Sequence, residues 1–223
     1  MQTADANDFR QEFLAFALHR KVLRFGDFVT KAGRRTPYFF NAGLFNDGES
    51  LVRLGQFYAQ ALLTSGLPCD HLFGPAYKGI TLVAATAIAL AQRGSNIPFS
   101  FNRKEVKDHG EGGNVVGAAL SGQVVIVDDV ITAGTSVRES VEIIRAHGAQ
   151  PAGVLIALDR MERGQGERSA VEEVRAAFGI PVVAIATLED LMRFISNRAE
   201  LDVYGDAIAS YRRQYGTQGV VAA

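Results

Sequence analysis

Residues 124–136 read VVIVDDVITAGTS, and this stretch decides the fold. Residues 123–127 form a continuous run rich in β-branched residues, the pattern of a strand buried on both faces. The strand delivers two adjacent acids, Asp128 and Asp129, to its carboxyl end. Thr132, Ala133, Gly134, Thr135 and Ser136 then form a short loop that opens a helix. Small residues let backbone N–H groups approach an anion closely, and a helix N-terminus adds a favourable dipole. The hydroxyls of Thr132, Thr135 and Ser136 add donors, so a monoester phosphate fits this loop. A branched side chain at Gly134 would enter the space such a phosphate needs. The acids lie too near the phosphate to be its ligands and suit the hydroxyls of a sugar carrying it.

Two other readings of the stretch exist. Four apolar residues followed by Asp-Asp also fit the magnesium-binding strand of a P-loop nucleotidase, but the required G-x-x-x-x-G-K-[ST] is missing, as is G-x-G-x-x-G after a strand. The acids could also merely cap the following helix. The full order of strand, acids, loop and hydroxyls favours the phosphate reading.

Working outward, strands and helices alternate. Phe9, Phe13, Phe16 and Ala17 predict a first helix over residues 6–23. Residues 25–43, FGDFVTKAGRRTPYFFNAG, read as two short strands around a basic turn. Leu51, Leu54, Tyr58 and Leu62 mark a second helix. Residues 71–73, 98–102, 154–158 and 182–185 are expected strands, and 79–92 and 170–178 expected helices. A helix with Val137, Val141 and Ile144 on one face ends at Gly148. Helical pattern continues to Tyr215, and 216–223 reads as a flexible tail. Polar, glycine-rich residues 103–114 are expected to be a mobile loop. The pattern is α/β with a mainly parallel central sheet flanked by helices. Ligands of such sheets bind beyond the carboxyl ends of the strands, at the loops 74–79, 103–113, 128–136 and 159–166.

Composition narrows the function classes. With 23 basic and 24 acidic residues the net charge is −1, so no global field draws nucleic acid or an anionic membrane. A lone cysteine, Cys69, fits a reducing compartment. The N-terminus has no secretory pattern, and the apolar stretch 79–91 is too short to span a bilayer. A cytoplasmic protein without nucleic-acid or membrane partners is expected.

The stretch VVIVDDVITAGTS resembles the phosphoribosyl pyrophosphate (PRPP) motif of the type I phosphoribosyltransferases. Four further segments resemble the orotate phosphoribosyltransferases: KAGRRTPYFFNAG from Lys31, GPAYKGI from Gly74, FNRKEVKDHGEGG from Phe101 and LDRMERG from Leu158. The resemblance implies the type I fold as one domain, with helices and a small hood in 1–65 and a PRPP-binding core in 66–215. It implies the transfer of a phosphoribosyl group from PRPP to orotate, giving orotidine 5'-monophosphate and pyrophosphate, a pentosyl transfer in pyrimidine synthesis. Residues 130–136 (Val130, Ile131, Thr132, Ala133, Gly134, Thr135, Ser136) would hold the 5-phosphate. Asp128 and Asp129 would hold the ribose hydroxyls. Lys31, Tyr77, Lys78, Arg103, Lys104, Lys107 and His109 match other PRPP contacts. A non-proline cis peptide is often found before the residue matching Tyr77. Phe39, Phe40, Thr132 and Arg160 would meet orotate, the two phenylalanines largely through their backbone.

The chemistry is consistent with that assignment. Orotate carries a carboxylate that purines lack, which calls for a fixed cation, ideally the planar fork of an arginine. Arg160 directly follows a strand and so lies at the ligand edge. The competing readings are core packing for Phe39 and Phe40 and an ion pair with Asp159 or Glu162 for Arg160. Arg103, Lys104, Lys107 and His109 lie beside glycines, as a lid over a departing pyrophosphate would. The alternative is a solvated charged loop. His109 could donate a proton to pyrophosphate or simply contact it. The resemblance implies a homodimer with shared active sites, the residue matching Arg103 acting across the interface. Mg2+ is the implied cofactor, held mainly by substrate and water rather than a protein cage. A purine phosphoribosyltransferase would share the PRPP motif but would not use the segments around Phe39 and Arg160. A nucleic-acid-binding regulator on the same fold would need a basic face.

Overall fold

The computed structural model describes residues 8–29, 33–107, 113–164 and 166–217. Helix α1 (Asp8–His19) leads into a two-stranded antiparallel sheet of β1 (Leu23–Val29) and β2 (Arg35–Phe40). Then come α2 (Gly48–Ser65), β3 (His71–Gly74), α3 (Lys78–Gln92), β4 (Phe99–Lys107), β5 (Gly113–Gly117), β6 (Gln123–Val127), α4 (Thr135–Ala146), β7 (Gln150–Asp159), α5 (Ala170–Phe178), β8 (Val182–Thr187), α6 (Leu188–Ser196) and α7 (Gly205–Tyr215). Six strands form the main sheet in the order β5-β4-β3-β6-β7-β8, all parallel except β5.

Burial of both faces explains the apolar strands. Val125, Val127, Leu155 and Ala157 pack on the side of α2, α3 and α6. Their alternates Val124, Ile126, Val154 and Ile156 pack under α4 and α5 with Val137, Val141 and Val174. Period-two alternation thus feeds two cores from one strand. From β3 the chain moves outward to β4, and from β6 outward the other way to β7. The crevice between β3 and β6 is therefore the switch point where ligands of such sheets bind.

Three expectations need correction. The first helix stops at His19, because Lys21 takes φ 58 and turns the chain so that a fully buried Leu23 can pair with Phe40. The Arg20 guanidinium meets Asp47 at 2.6 Å, pinning the end of α1 to the start of α2. Residues 103–107 are not loop: β4 continues through Lys107, which pairs with Gly113. Backbone pairing is indifferent to side-chain polarity, so a charged segment joins a ladder when a partner strand is available. The tail is tied down at its start, since Gly216 bridges Glu162 and the Thr217 N–H donates to the Met161 carbonyl at 2.9 Å.

Candidate active site

The acid pair sits where β6 ends, and its surroundings hold it in place. The ladder continues past the strand, with the Asp128 N–H donating to Leu155 and the Ala157 N–H to Asp129. The Tyr58 hydroxyl, buried on α2, donates to the Asp128 carbonyl at 2.8 Å. Both acids are buried, at 7% and 6% exposure. Asp128 accepts from the Asp129 N–H at 2.9 Å and from the Ser136 hydroxyl at 2.8 Å. Burial, and next the Asp129 charge, push the Asp128 carboxyl up to about 6, against those two hydrogen bonds and the Lys78 charge. Lys78 pairs directly with Asp129.

Lys78 opens α3 just after the loop that follows β3, the other wall of the crevice. Gly79 is needed there because a Cβ would lie 2.5 Å from the Pro75 ring and 2.9 Å from the Val127 carbonyl. The loop thereby packs directly on the end of β6. The Ala76–Tyr77 peptide is cis, as the resemblance implied. The Ala76 N–H donates to the Asn102 side chain at 2.8 Å, joining this loop to β4. Tyr77 is exposed, and the Lys104 ammonium lies 5.3 Å from its ring centre. Lys104 thus stands beside its own chain's crevice. Arg103 is half-buried on the same strand. Lys31 and His109 lie outside the described residues, as does the side chain of Lys107.

The loop 130–136 runs from the acids to α4, with Thr132, Ala133 and Thr135 exposed. Gly134 caps α4 with φ 69, in the left-handed region. Its missing Cβ would face Val174 at 3.4 Å, not the open side of the loop. Glycine is required here for its backbone angle, which corrects the expectation that a side chain would enter the phosphate space. Ser136 also departs from expectation, since its hydroxyl is turned to Asp128.

Beside β6, the end of β7 carries Arg160. Its side chain is 17% exposed, as is that of Glu162, and Nη2 lies 2.6 Å from Glu162 Oε1. Nε donates to the same oxygen at 2.8 Å. Of the competing readings, the Glu162 pair is the one present. The guanidinium lies 4.5 Å from the ring centre of Tyr38 on β2. Burial opposes its charge, but Tyr38 and Glu162 outweigh it and hold its pKa above the ordinary value. Phe40 is a core residue 6.3 Å from Phe13, as core packing predicts, so only its backbone is free to meet a ligand. Phe39 is half-buried between Phe28 and Arg24.

These features separate an acidic end, Asp128 and Asp129, from a cationic end, Arg160, at the ends of adjacent strands. A family model described as a phosphoribosyl transferase domain matches residues 45–183. The orotate phosphoribosyltransferase of Chromobacterium violaceum is 65% identical over 210 residues, covering 94% of this chain and 98% of its own length. That of Laribacter hongkongensis is 63% identical, covering 95% and 100%. The chain belongs to the orotate phosphoribosyltransferase family. The family's crystal structure from Francisella tularensis superposes with a TM-score of 0.85 at 40% identity, covering 92% of this chain and all of that one. The family model ends before α6 and α7 and begins after β2, so the elements around Arg160 lie partly outside the shared domain.

Sequence reasoning missed Tyr58, Tyr38 and Tyr211, and it named Glu162 only as a competing ion-pair partner for Arg160. Glu162 stands inside the quoted LDRMERG segment and carried a signal, an acid two residues from the arginine. Tyr58, Tyr38 and Tyr211 read as apolar helix or strand positions, and only packing reveals where their hydroxyls end.

Proposed function

We propose that the chain transfers the phosphoribosyl group of PRPP to orotate, giving orotidine 5'-monophosphate and pyrophosphate, the pentosyl transfer of its family. The observation that carries this reading is the buried Asp128–Asp129 pair at the switch point, joined to a loop that opens α4, with Arg160 on the next strand. In this reading residues 130–136 receive the 5-phosphate through backbone N–H groups, Thr132 and Thr135. Asp128 and Asp129 take the ribose hydroxyls and offset the positive charge that builds on the sugar as its C1 bond to pyrophosphate breaks. A ring nitrogen of orotate displaces pyrophosphate with inversion. Tyr77, Lys78, Arg103, Lys104, Lys107, Lys31 and His109 serve the pyrophosphate, and Lys78, 56% exposed, is free to turn from Asp129 toward it. Arg160 meets the orotate carboxylate, with Thr132 and the backbone of Phe39 and Phe40 beside it.

Mg2+ fits this donor set. Two carboxylates, one already engaged with Lys78 and one with Ser136, suit an ion that keeps substrate and water oxygens. Asp128 and Asp129 are the residues that would hold it, through the ribose oxygens and water. Bound with PRPP, it neutralises pyrophosphate charge.

The protein acts as a homodimer with shared sites in the cytoplasm. A groove of about 230 Å³ between α2 and α3, with exposed Val52 and Ile88 on its rim, supports a second copy as its occupant. Among the described residues no helix is long and apolar enough to cross a membrane. The test is an assay with PRPP, Mg2+ and orotate, run beside adenine, hypoxanthine and uracil. Orotate alone should be consumed; equal turnover of uracil would show that the carboxylate is not read.

A further inference from the structure

Arg160 is held most closely from the side of Glu162. On the side edge of its fork, Nε donates to Oε1 of Glu162 and Nη2 forms an ion pair with the same oxygen at 2.6 Å. Nη2 has a second, long contact of 3.4 Å to the Thr36 hydroxyl. Nη1 has no hydrogen-bond partner among the described residues. The Tyr38 ring lies under the guanidinium plane, and its hydroxyl is 3.4 Å from the same Glu162 oxygen. A second buried hydroxyl borders this group: Tyr211 on α7 is 5% exposed, packs edge-on to Tyr38 at 6.2 Å, and its oxygen lies within reach of both Arg160 and Glu162.

A buried guanidinium has five N–H donors, and those not turned to Glu162 or Thr36 can serve an incoming acceptor. A carboxylate on the end-on fork, Nη1 with Nη2, makes the bidentate pair. We infer that Glu162 is a positioning residue for base recognition: it clamps the side edge of Arg160 against the Tyr38 ring, so that the end-on edge is presented to the substrate carboxylate. The inference rests on the reading that Arg160 meets orotate. The clamp is built by β2, the loop after β7 and α7. Arg34 donates to the Arg163 carbonyl at 2.9 Å, and the Arg163 N–H to the Tyr215 carbonyl at 2.8 Å, so the loop is fixed from both ends of the chain. Two of these three elements lie outside residues 45–183, the part matched by the general phosphoribosyl transferase model. Carboxylate selection is thereby an addition to the shared PRPP machinery.

Glu162 has two opposed effects on an incoming carboxylate: it orients Arg160, and it repels the negative charge. Glu162→Ala loses the orientation, whereas Glu162→Gln keeps an acceptor oxygen and loses only the repulsion. The positioning role therefore predicts that Glu162→Ala raises KM for orotate roughly tenfold, with KM for PRPP within about twofold of wild type. Glu162→Gln should restore KM for orotate to the wild-type value or below. Circular dichroism melting establishes that each variant is folded. Should Glu162→Ala not fold, orotate calorimetry on Glu162→Gln decides the matter, since binding weaker than wild type contradicts the clamp. A folded Glu162→Ala with unchanged KM for orotate overturns the inference, as does a parallel rise in both KM values, which is the mark of a merely structural role. Arg160→Ala run alongside separates the two layers. If it leaves KM for orotate unchanged, the assignment of Arg160 falls; if it raises that KM while Glu162→Ala does not, only the clamp falls.

Discussion

The end of this crevice proposed to take the sugar phosphate and the end proposed to take the base are built in opposite ways. The first uses a contiguous run, residues 128–136, on the end of one strand, and it concentrates like charges: two buried carboxylates side by side, with Lys78 on one of them. The second is assembled from Thr36 and Tyr38, Arg160 and Glu162, and Tyr211, distant in the chain, and its charges are balanced within one pair. A group that must offset a positive transition state benefits from excess negative charge held in place. A group that must recognise a fixed anion benefits from a cation whose direction is set.

The largest effect should come from breaking the backbone at the first end. Gly134→Val places a β-branched residue at φ 69 with its Cβ against Val174. The loop must leave the left-handed conformation to accept it, so PRPP binding measured by calorimetry should weaken by about two orders of magnitude or more. Unchanged affinity in a folded variant would move the phosphate away from residues 130–136.

The matching break at the second end is Arg160→Ala. Losing a charge-assisted pair costs about 2–4 kcal/mol, so kcat/KM for orotate should fall roughly 30-fold or more with PRPP binding retained. If PRPP binding drops equally, the two ends are not separable and the comparison fails.

That contrast also governs what could be read from the sequence. β6 and α5 carry their bounds in the pattern itself, and the strand-acid-loop order of 124–136 located the first end, because its parts are adjacent in the chain. The second end was reached through Arg160 and, by resemblance alone, through Phe39, Phe40 and Thr132. Nothing local in Tyr38 or Tyr211 tells that their rings meet at 6.2 Å, since that contact depends on how α7 packs on β2. The strand after Asn102 was misread for a related reason. Its partner, Gly113–Gly117, supplies the pairing that its own charged residues do not advertise.

A smaller effect tests whether the first end is completed by a second subunit. Arg103 is proposed to act across the dimer, whereas Lys104 lies over its own chain's Tyr77. Arg103→Ala and Asp129→Asn homodimers each lack an intact site. After subunit exchange about half the dimers are mixed and one of their two sites is whole, so roughly a quarter of wild-type sites should return. No recovery of orotate consumption in verified mixed dimers would put Arg103 in its own chain's site.

The smallest effect sharpens the charge comparison directly, through stability rather than rate. Burial, and next the Asp129 charge, push the Asp128 carboxyl of the folded protein up to about 6 from its ordinary value of 3.8. Between those values the folded state keeps a proton that the unfolded state has lost. Stability therefore declines as pH rises through that window, and the full penalty persists above it. Asp128→Asn removes the charge but keeps the fit: its amide oxygen accepts the Asp129 N–H, and its amide nitrogen donates to the Ser136 hydroxyl. Wild type and variant should melt together near pH 4, and the variant should melt higher by about 2–6 °C at pH 7 to 8, while losing PRPP turnover. Glu162→Gln at the base end should show the opposite sign. Its charge is matched by Arg160, so losing it leaves a buried cation unpaired and lowers the melting temperature. Parallel shifts in the two variants would mean that the ends do not differ in charge balance.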